Sequence, residues 1–490
     1  MDTDLMKVEQ ETDLMKVDDN LAAEVQETTQ RHHGYRMERD SIGELPVPEH
    51  VYYGVQSLRA SKNFPITGNR LHPELIRNLA RVKKACARAN QAAGILDENI
   101  ARAIVSACDD ILNDLWHEQF IVDAIQGGAG TSANMNANEV IANIATERMG
   151  GRRGDYNPVH PNDHVNMSQS TNDVFPTAGK LSVISLVNVF VKVLEDFIPK
   201  LDAKAAEFNE VYKMGRTQLQ DAVPMRLGQS FSAAASALRR NMEHLKSIEK
   251  TLYTVNLGGT AIGTGINASP VYMDLVVPML ADVSGIELEQ AENLIDATQN
   301  LDSFVMISGA VKAAAVTLSK FANDLRILSS GPRTGFNELN LPPVQNGSSI
   351  MPGKINPVIP EAVSQVAFSV IGNDVTITMA AEGGQLELNA FEPVLFYKLF
   401  ESLDTLSQVV HVFGKDCIDG ITANKEDITE RLENSTYLAT VLSKTIGYER
   451  SATLAHEAEK AGKSIREMAL IMEVVTEEEL ERLAFPGNYC

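Results

Sequence analysis

The chain has 490 residues, 44% hydrophobic and 22% charged, enough to bury a large core without disulfides. A formal net charge of −22 and the lack of any long Lys/Arg run exclude the basic patch that a nucleic-acid binder needs. Its four cysteines, Cys86, Cys108, Cys417 and Cys490, have no CxxC spacing, which argues against a structural zinc site and for a reducing compartment.

The first 35 residues differ from the rest. TDLMKV occurs at Thr3–Val8 and again at Thr12–Val17, among Glu, Asp, Gln and Thr with few aromatics. Such a segment buries too little apolar surface to offset its ordering entropy, so residues 1–35 read as a tail. It also lacks the basic and apolar regions of a secretory signal. The apolar run from Leu181 meets Lys192 after 11 uncharged residues, short of the roughly 20 needed to cross a bilayer. The expectation is a soluble, cytoplasmic protein with no membrane and no nucleic-acid partner.

From Tyr35 onward helical periods dominate. Leu75, Leu79, Val82, Cys86 and Ala89 form one stripe, followed by Gly94. Ile184, Asn188, Val191, Leu194, Ile198, Leu201, Ala205 and Phe208 form a second, in which Pro199 predicts a kink or a joint. Phe304, Ile307, Val311, Ala314, Leu318, Phe321, Leu325 and Leu328 alternate spacings of three and four, a sustained seam stopped by Gly331 and Pro332. At about 1.5 Å per residue this last helix is a rod of roughly 40 Å. Helices this long suit a bundle, and strand patterns are scarce, so the fold class is all-α. Alanine-rich positions on several faces, as in Ala233–Ala237 and Ala313–Ala315, ask for more than one neighbour and point to a homo-oligomer.

Four polar segments interrupt the helices: Gly127–Glu139, His160–Asp173, Gly215–Asp221 and Gly347–Pro357. Each is dense in small hydroxyls and amides, neutral groups that surround a carboxylate without adding strong charge. Singly, such residues are ordinary caps and turns. Four of them leading into long apolar helices suggest anion binding, because orphan N–H groups and the helix dipole favour negative charge there.

Other motifs fall away. Gly347–Lys354 has five residues between its glycines and Ile355 where a P-loop needs Ser or Thr. Gly128-Ala-Gly130 and Gly263-Thr-Gly265 follow no strand, so neither reads as a dinucleotide turn. His160 and His164, four apart with Pro161 between them, suit capping or ligand orientation better than metal ligation.

Gly347-Ser-Ser-Ile-Met-Pro-Gly-Lys-Ile-Asn-Pro357 resembles the signature loop of the fumarase/aspartase superfamily, and the other three segments resemble its substrate regions in the same order. The resemblance covers about residues 36 to 490. Ser170-Thr171-Asn172, Pro357-Val-Ile-Pro-Glu361, Gly215–Pro224 and Asn373–Glu382 are similar to the aspartase branch rather than to class II fumarases.

That resemblance implies three helical domains, at 36–170, 171–425 and 426–490, the central one contributing to a twenty-helix core in a homotetramer whose sites are shared between subunits. It implies elimination of ammonia from L-aspartate to give fumarate, with no cofactor required for the chemistry, no metal ligand, and divalent-metal activation left open. Ser348 would be the general base. Thr131, Ser170, Thr171 and Ser349 match contacts to the β-carboxylate, and Lys354 and Asn356 match contacts to the α-carboxylate. Asn172 and Thr217 match positions near the amino group. At 218, where fumarases and some aspartases have histidine, this chain has Gln218, which hydrogen-bonds but does not titrate. A class II fumarase acting on malate, or a structural protein retaining the lyase fold, stands as the alternative. The intact set of Ser348, Lys354 and Asn356 argues against the structural one.

Overall fold

The computed structural model describes residues 34–485 and residue 487; the repeated N-terminal segment and Cys490 lie outside them. The described residues form two compact units. The first runs up to Phe175 and includes Asn267–Ser284; the second comprises Pro176–Ile266 and the chain from Gly285 onward.

In the first unit an antiparallel pair, Tyr35–Arg39 with Glu44–Pro48, precedes the helices Val55–Asn63, Pro73–Ala92, Glu98–Leu112, Thr131–Arg148 and, from later in the chain, Pro270–Ser284. Pro73 opens its helix, where its missing N–H is no loss, and His72 Nδ1 accepts the Glu74 N–H at 3.1 Å. The stripe Leu75, Leu79, Val82, Cys86, Ala89 is buried throughout, packed on Glu98–Leu112 and Pro270–Ser284. Helix Thr131–Arg148 is buried on all sides from Ala133 to Thr146. It carries Asn134, Asn136, Asn138, Glu139 and Asn143 into that interior, where each polar group needs a partner. Glu139 illustrates the rule: its carboxylate accepts the N–H groups of Gly54, Gln56 and Ser57 at 2.9–3.0 Å and so caps helix Val55–Asn63.

The second unit is a bundle. Helix Asp302–Leu328 packs on Leu227–Glu249 and Val358–Glu382, and Val358–Glu382 packs in turn on Glu392–Asp416. The seam read from the sequence is buried from Phe304 to Leu325 and half-buried at Leu328. Rings link the helices in a chain: Phe208 to Phe231 at 5.4 Å, Phe231 to Phe321 at 5.6 Å, Phe321 to Phe413 at 6.1 Å, and Phe413 to Phe197 at 5.5 Å. Each such side chain contributes about 1.5–3 kcal/mol on burial. Asp302–Leu328 is long and apolar enough to cross a membrane, a candidate longer than the run at Leu181; more than half of its apolar stretch is buried in the bundle.

Helix Thr171–Glu207 runs unbroken through Pro176 and Pro199, so Pro199 is not a joint between helices. Toward the C-terminus, Leu438, Leu442, Leu454, Ala469 and Leu480 gather a separate small core, which Met214 joins. Ser464 with Glu467, and Thr476 with Glu479, form reciprocal capping boxes on its last helices. Among the described residues the strands are short two-stranded pairs, and the fold is predominantly helical.

Three of the four polar segments lead directly into helix starts, at Thr131, Thr171 and Val358. The third is different. Gly215–Asp221 lies in an antiparallel hairpin, Tyr212–Thr217 with Gln220–Arg226, and the helix begins only at Leu227. The sequence pattern hid it because the hairpin lacks a regular alternation; its register shifts between Met214 and Arg216.

Candidate functional site

In the first unit, two helix N-termini are brought together. The chain enters helix Thr131–Arg148 through Gly130, at φ +88°. A Cβ there would lie 2.4 Å from the Phe175 ring, so only glycine permits this approach. Thr131 is exposed at the first helical position, its hydroxyl donating to the Gly128 carbonyl at 2.7 Å. Ser170 precedes helix Thr171–Glu207 as its cap: its Oγ accepts the Asn172 N–H at 3.2 Å, and its own N–H donates to the buried Asp173 carboxylate at 2.9 Å. Asn134, in the first turn of one helix, donates to Thr171 Oγ1, in the first turn of the other, at 3.1 Å. Thr131, Ser170, Thr171 and Asn172 therefore share one locality, with two helix dipoles offering their positive ends.

A buried network supports that locality. Asn166 Oδ1 accepts from Lys83 Nζ at 2.9 Å and from Asn134 and Asn138 Nδ2, both at 3.1 Å. Lys83 also donates to Gln169 Oε1 at 2.8 Å. The lysine is fully buried, and burial holds its pKa down to about 8. The sequence reading held Asn134, Asn138, Asn166 and Gln169 within its polar segments without singling them out, and it passed over Lys83. A signal was present: Lys83 lies four residues after Leu79 and three before Cys86, on the buried stripe, where a charged residue needs a reason. His160 Nδ1 accepts the N–H groups of Asn162 and Asp163, and His164 Nδ1 accepts that of His160, so both histidines cap the turn before this segment.

The other six candidates lie in the second unit. Thr217 and Gln218 are exposed at the hairpin tip. Ser348, Ser349, Lys354 and Asn356 lie on a loop closed at its neck: Gly347 N–H donates to the Lys354 carbonyl at 3.0 Å, and Asn356 Nδ2 donates to the Gly347 carbonyl at 2.7 Å. A Cβ on Gly347 would lie 2.2 Å from the Lys354 carbonyl oxygen, so the neck requires glycine. Ser348 Oγ accepts two backbone N–H groups, from Ile350 at 3.2 Å and Met351 at 3.0 Å. Beyond the neck the loop is open to solvent, and Ile350 is 83% exposed.

Lys354 and Asn356 line a groove of about 980 Å³ together with Leu219, Phe336, Asn337 and Leu339. The hairpin thus borders the groove through Leu219, while Thr217, Gln218 and Ser348 are not among its lining residues.

The first unit thus offers hydroxyls and amides at two helix starts, and the second offers a serine, a lysine and an amide on an open loop. A family model described as "Lyase" matches residues 43–372, and one described as "Fumarase C C-terminus" matches residues 438–488. An aspartate ammonia-lyase of Bacillus sp is 51% identical, over 92% of this chain and 96% of its own length. That of Escherichia coli K12 is 48% identical, over 91% and 94%. The fold is similar to that of a fumarate lyase:delta crystallin from Brucella melitensis bound to cobalt, with TM-score 0.90 and 50% identity over 92% of this chain and 98% of that one. It is also similar to a class II fumarase from Schistosoma mansoni, with TM-score 0.88 and 34% identity over the same shares. The chain belongs to the aspartase family of the fumarase/aspartase superfamily.

Proposed function

We infer that this chain is a carbon–nitrogen lyase that eliminates ammonia from L-aspartate, reversibly giving fumarate. Its relatives at about half identity over nearly their whole length are aspartate ammonia-lyases.

The chemistry sets the demands. A base removes a proton from C3, the C3–H electron pair moves first onto the β-carboxylate as an aci-carboxylate and then into the new double bond, and the C2–N bond breaks. The dianionic intermediate needs preorganised donors, each worth about 2.7–4 kcal/mol in comparable oxyanion holes. Ser348 is the base we propose. The observation that carries it is the pair of backbone N–H groups on Ser348 Oγ. Both donors favour the alkoxide, the form in which a serine accepts a proton from carbon.

Thr131, Ser170, Thr171 and Ser349 are proposed to hold the β-carboxylate, the first three aided by two helix N-termini. Lys354 and Asn356 are proposed to hold the α-carboxylate, with Lys354 supplying the positive charge. Asn172, Thr217 and Gln218 are assigned to the amino group. Gln218 has no titratable proton, so it does not act as an acid toward the leaving group. The decisive assay follows fumarate by its ultraviolet absorbance and ammonia by a coupled reaction, with L-aspartate and L-malate in parallel. Fumarate from malate alone, without activity on aspartate, sinks this reading.

We further propose a homotetramer with active sites shared between subunits. Helix Val358–Glu382 buries Val363, Ala367, Val370 and Ile377, yet leaves Phe368 62%, Val375 55% and Met379 67% exposed on another face. Large apolar side chains repeated along a second face call for a further neighbour. Light scattering of Phe368→Glu tests this: a smaller assembly with lost activity supports it, and an active wild-type monomer overturns it.

A further inference from the structure

Two successive non-glycine residues at the hairpin tip, Gln218 at φ +55° and Leu219 at φ +63°, are left-handed. Backbone of this kind persists where the surroundings hold it. The pair Thr217 with Gln220 closes this two-residue turn directly, so the hairpin's pairing fixes the shape of the tip, and what anchors the hairpin's base fixes where the tip lies.

The base is held by an ion cluster. Lys213 Nζ lies 2.9 Å from Glu338 Oε2, and Arg216 Nη1 lies 2.5 Å from Glu338 Oε1. Lys213 is 5% and Glu338 2% exposed, so these charges interact with little screening. In a regular strand, residues three apart point to opposite faces. Here the register shift between Met214 and Arg216 turns both cations toward one carboxylate. Gly215, inside that shift, is buried, and a Cβ on it would lie 2.7 Å from the Val223 carbonyl oxygen.

Glu338 is itself anchored. Its N–H donates to the Leu328 carbonyl at 2.8 Å, and its carbonyl accepts the Asn424 N–H at 3.0 Å. The Arg216 guanidinium lies 4.5 Å from the centre of the Phe336 ring, and Phe336 lines the groove that also contains Lys354 and Asn356. Arg216 Nη1 also donates to the Met214 carbonyl at 3.5 Å, and its Nε lies 3.7 Å from Oδ1 of the exposed Asp221. The carboxylate of Glu338 thus connects two things: the strand that ends at Thr217, and the segment that forms a wall of the groove.

We propose that Glu338 is a positioning residue: by gripping Lys213 and Arg216 it sets the left-handed Gln218–Leu219 turn beside the groove, in the place where Thr217 and Gln218 meet the substrate's amino group. The inference rests on the assignment of Thr217 and Gln218 to that group. A misplacement of about 1 Å is enough to cost up to a hundredfold in rate, so a residue remote from the reacting atoms has leverage here.

The test uses full-length Glu338→Gln, with Arg216→Lys as a milder companion that keeps the charge but alters the contact. Glu338→Asp and Gln218→Ala complete the set. Thermal transition and assembly state are recorded first. Steady-state kinetics with L-aspartate and amide hydrogen exchange over residues 212–226 follow.

The expected result for Glu338→Gln is a KM raised about tenfold or more with a smaller fall in kcat, and faster exchange confined to the hairpin. Glu338→Asp recovers part of both. A purely structural role would lower the melting temperature and the active fraction while leaving KM and hairpin exchange alone. Wild-type KM and exchange in folded Glu338→Gln overturn the proposal; if that variant does not fold, the same result in Arg216→Lys does so. If Gln218→Ala raises KM while the Glu338 variants do not, only the positioning inference falls. An unchanged KM in Gln218→Ala removes the substrate assignment and the inference with it.

Discussion

The two groups of candidate residues are built in opposite ways. Around Thr171 the structure is buried and crowded: one amide oxygen of Asn166 takes three donors, and a fully buried lysine stands behind it. Around Ser348 the chain is exposed and held mainly at the Gly347 neck. The contrast teaches which of the two groups is fixed by packing and which is left free to move. Donors for a carboxylate gain most when fixed in advance, since no reorganisation is then needed during reaction. A base that must exclude water gains from a loop free to close, at little cost to the fold.

If that division holds, Ser348→Ala gives the largest effect on turnover and none on stability. We expect kcat to fall about 10²–10⁴-fold, with the thermal transition unmoved. A near-normal kcat in this variant would place the base elsewhere. Lys354→Met comes next. Losing a charged hydrogen bond of about 1.5–3 kcal/mol should raise the KM for L-aspartate about ten- to a hundredfold, with kcat less affected; a change in kcat alone breaks the assignment. Gly347→Ala tests the neck. The added Cβ forces the Lys354 carbonyl aside, and we expect kcat/KM to drop about tenfold while global stability stays within about 0.5 kcal/mol. A comparable loss of stability would show that the loop is part of the folded core.

The smallest effect sharpens the other side of the comparison. Burial holds the Lys83 pKa down to about 8, against an ordinary value near 10.5. Between these pH values the unfolded chain keeps the proton that the native chain has released, so the unfolded state binds more protons and stability from this group rises with pH. Wild type should therefore gain steadily on Lys83→Met as pH is raised from about 8 to about 10.5. Denaturant titrations of both proteins across that range are the measurement. A constant difference would mean that Lys83 is not restrained as its burial indicates.

Much of this was open to a reading of residues in order. Helical stripes such as Leu75–Ala89 and Phe304–Leu328 are local, since side chains three or four apart share a face whatever lies opposite. Gly347 and caps such as Ser170 likewise act through neighbours within about ten positions of the chain, whereas the close approach at Gly130 is to the distant Phe175. The loop containing Ser348, Lys354 and Asn356 is continuous, so its composition was visible at once.

What stayed hidden depends on contacts between distant positions. Lys83 reaches Asn166 across 83 residues, and Arg216 reaches Glu338 across 122. A charged side chain on an apolar stripe signals that it has a partner but not which one, because the partner is chosen by how helices pack. The hairpin at Tyr212–Arg226 was missed for a related reason: its register shift breaks the alternation that marks a strand, and it is held by Glu338 from a remote segment. Residue order thus decides helices, caps and the groups available for chemistry. Packing decides which groups are buried, how each is paired and hence which of them stand ready.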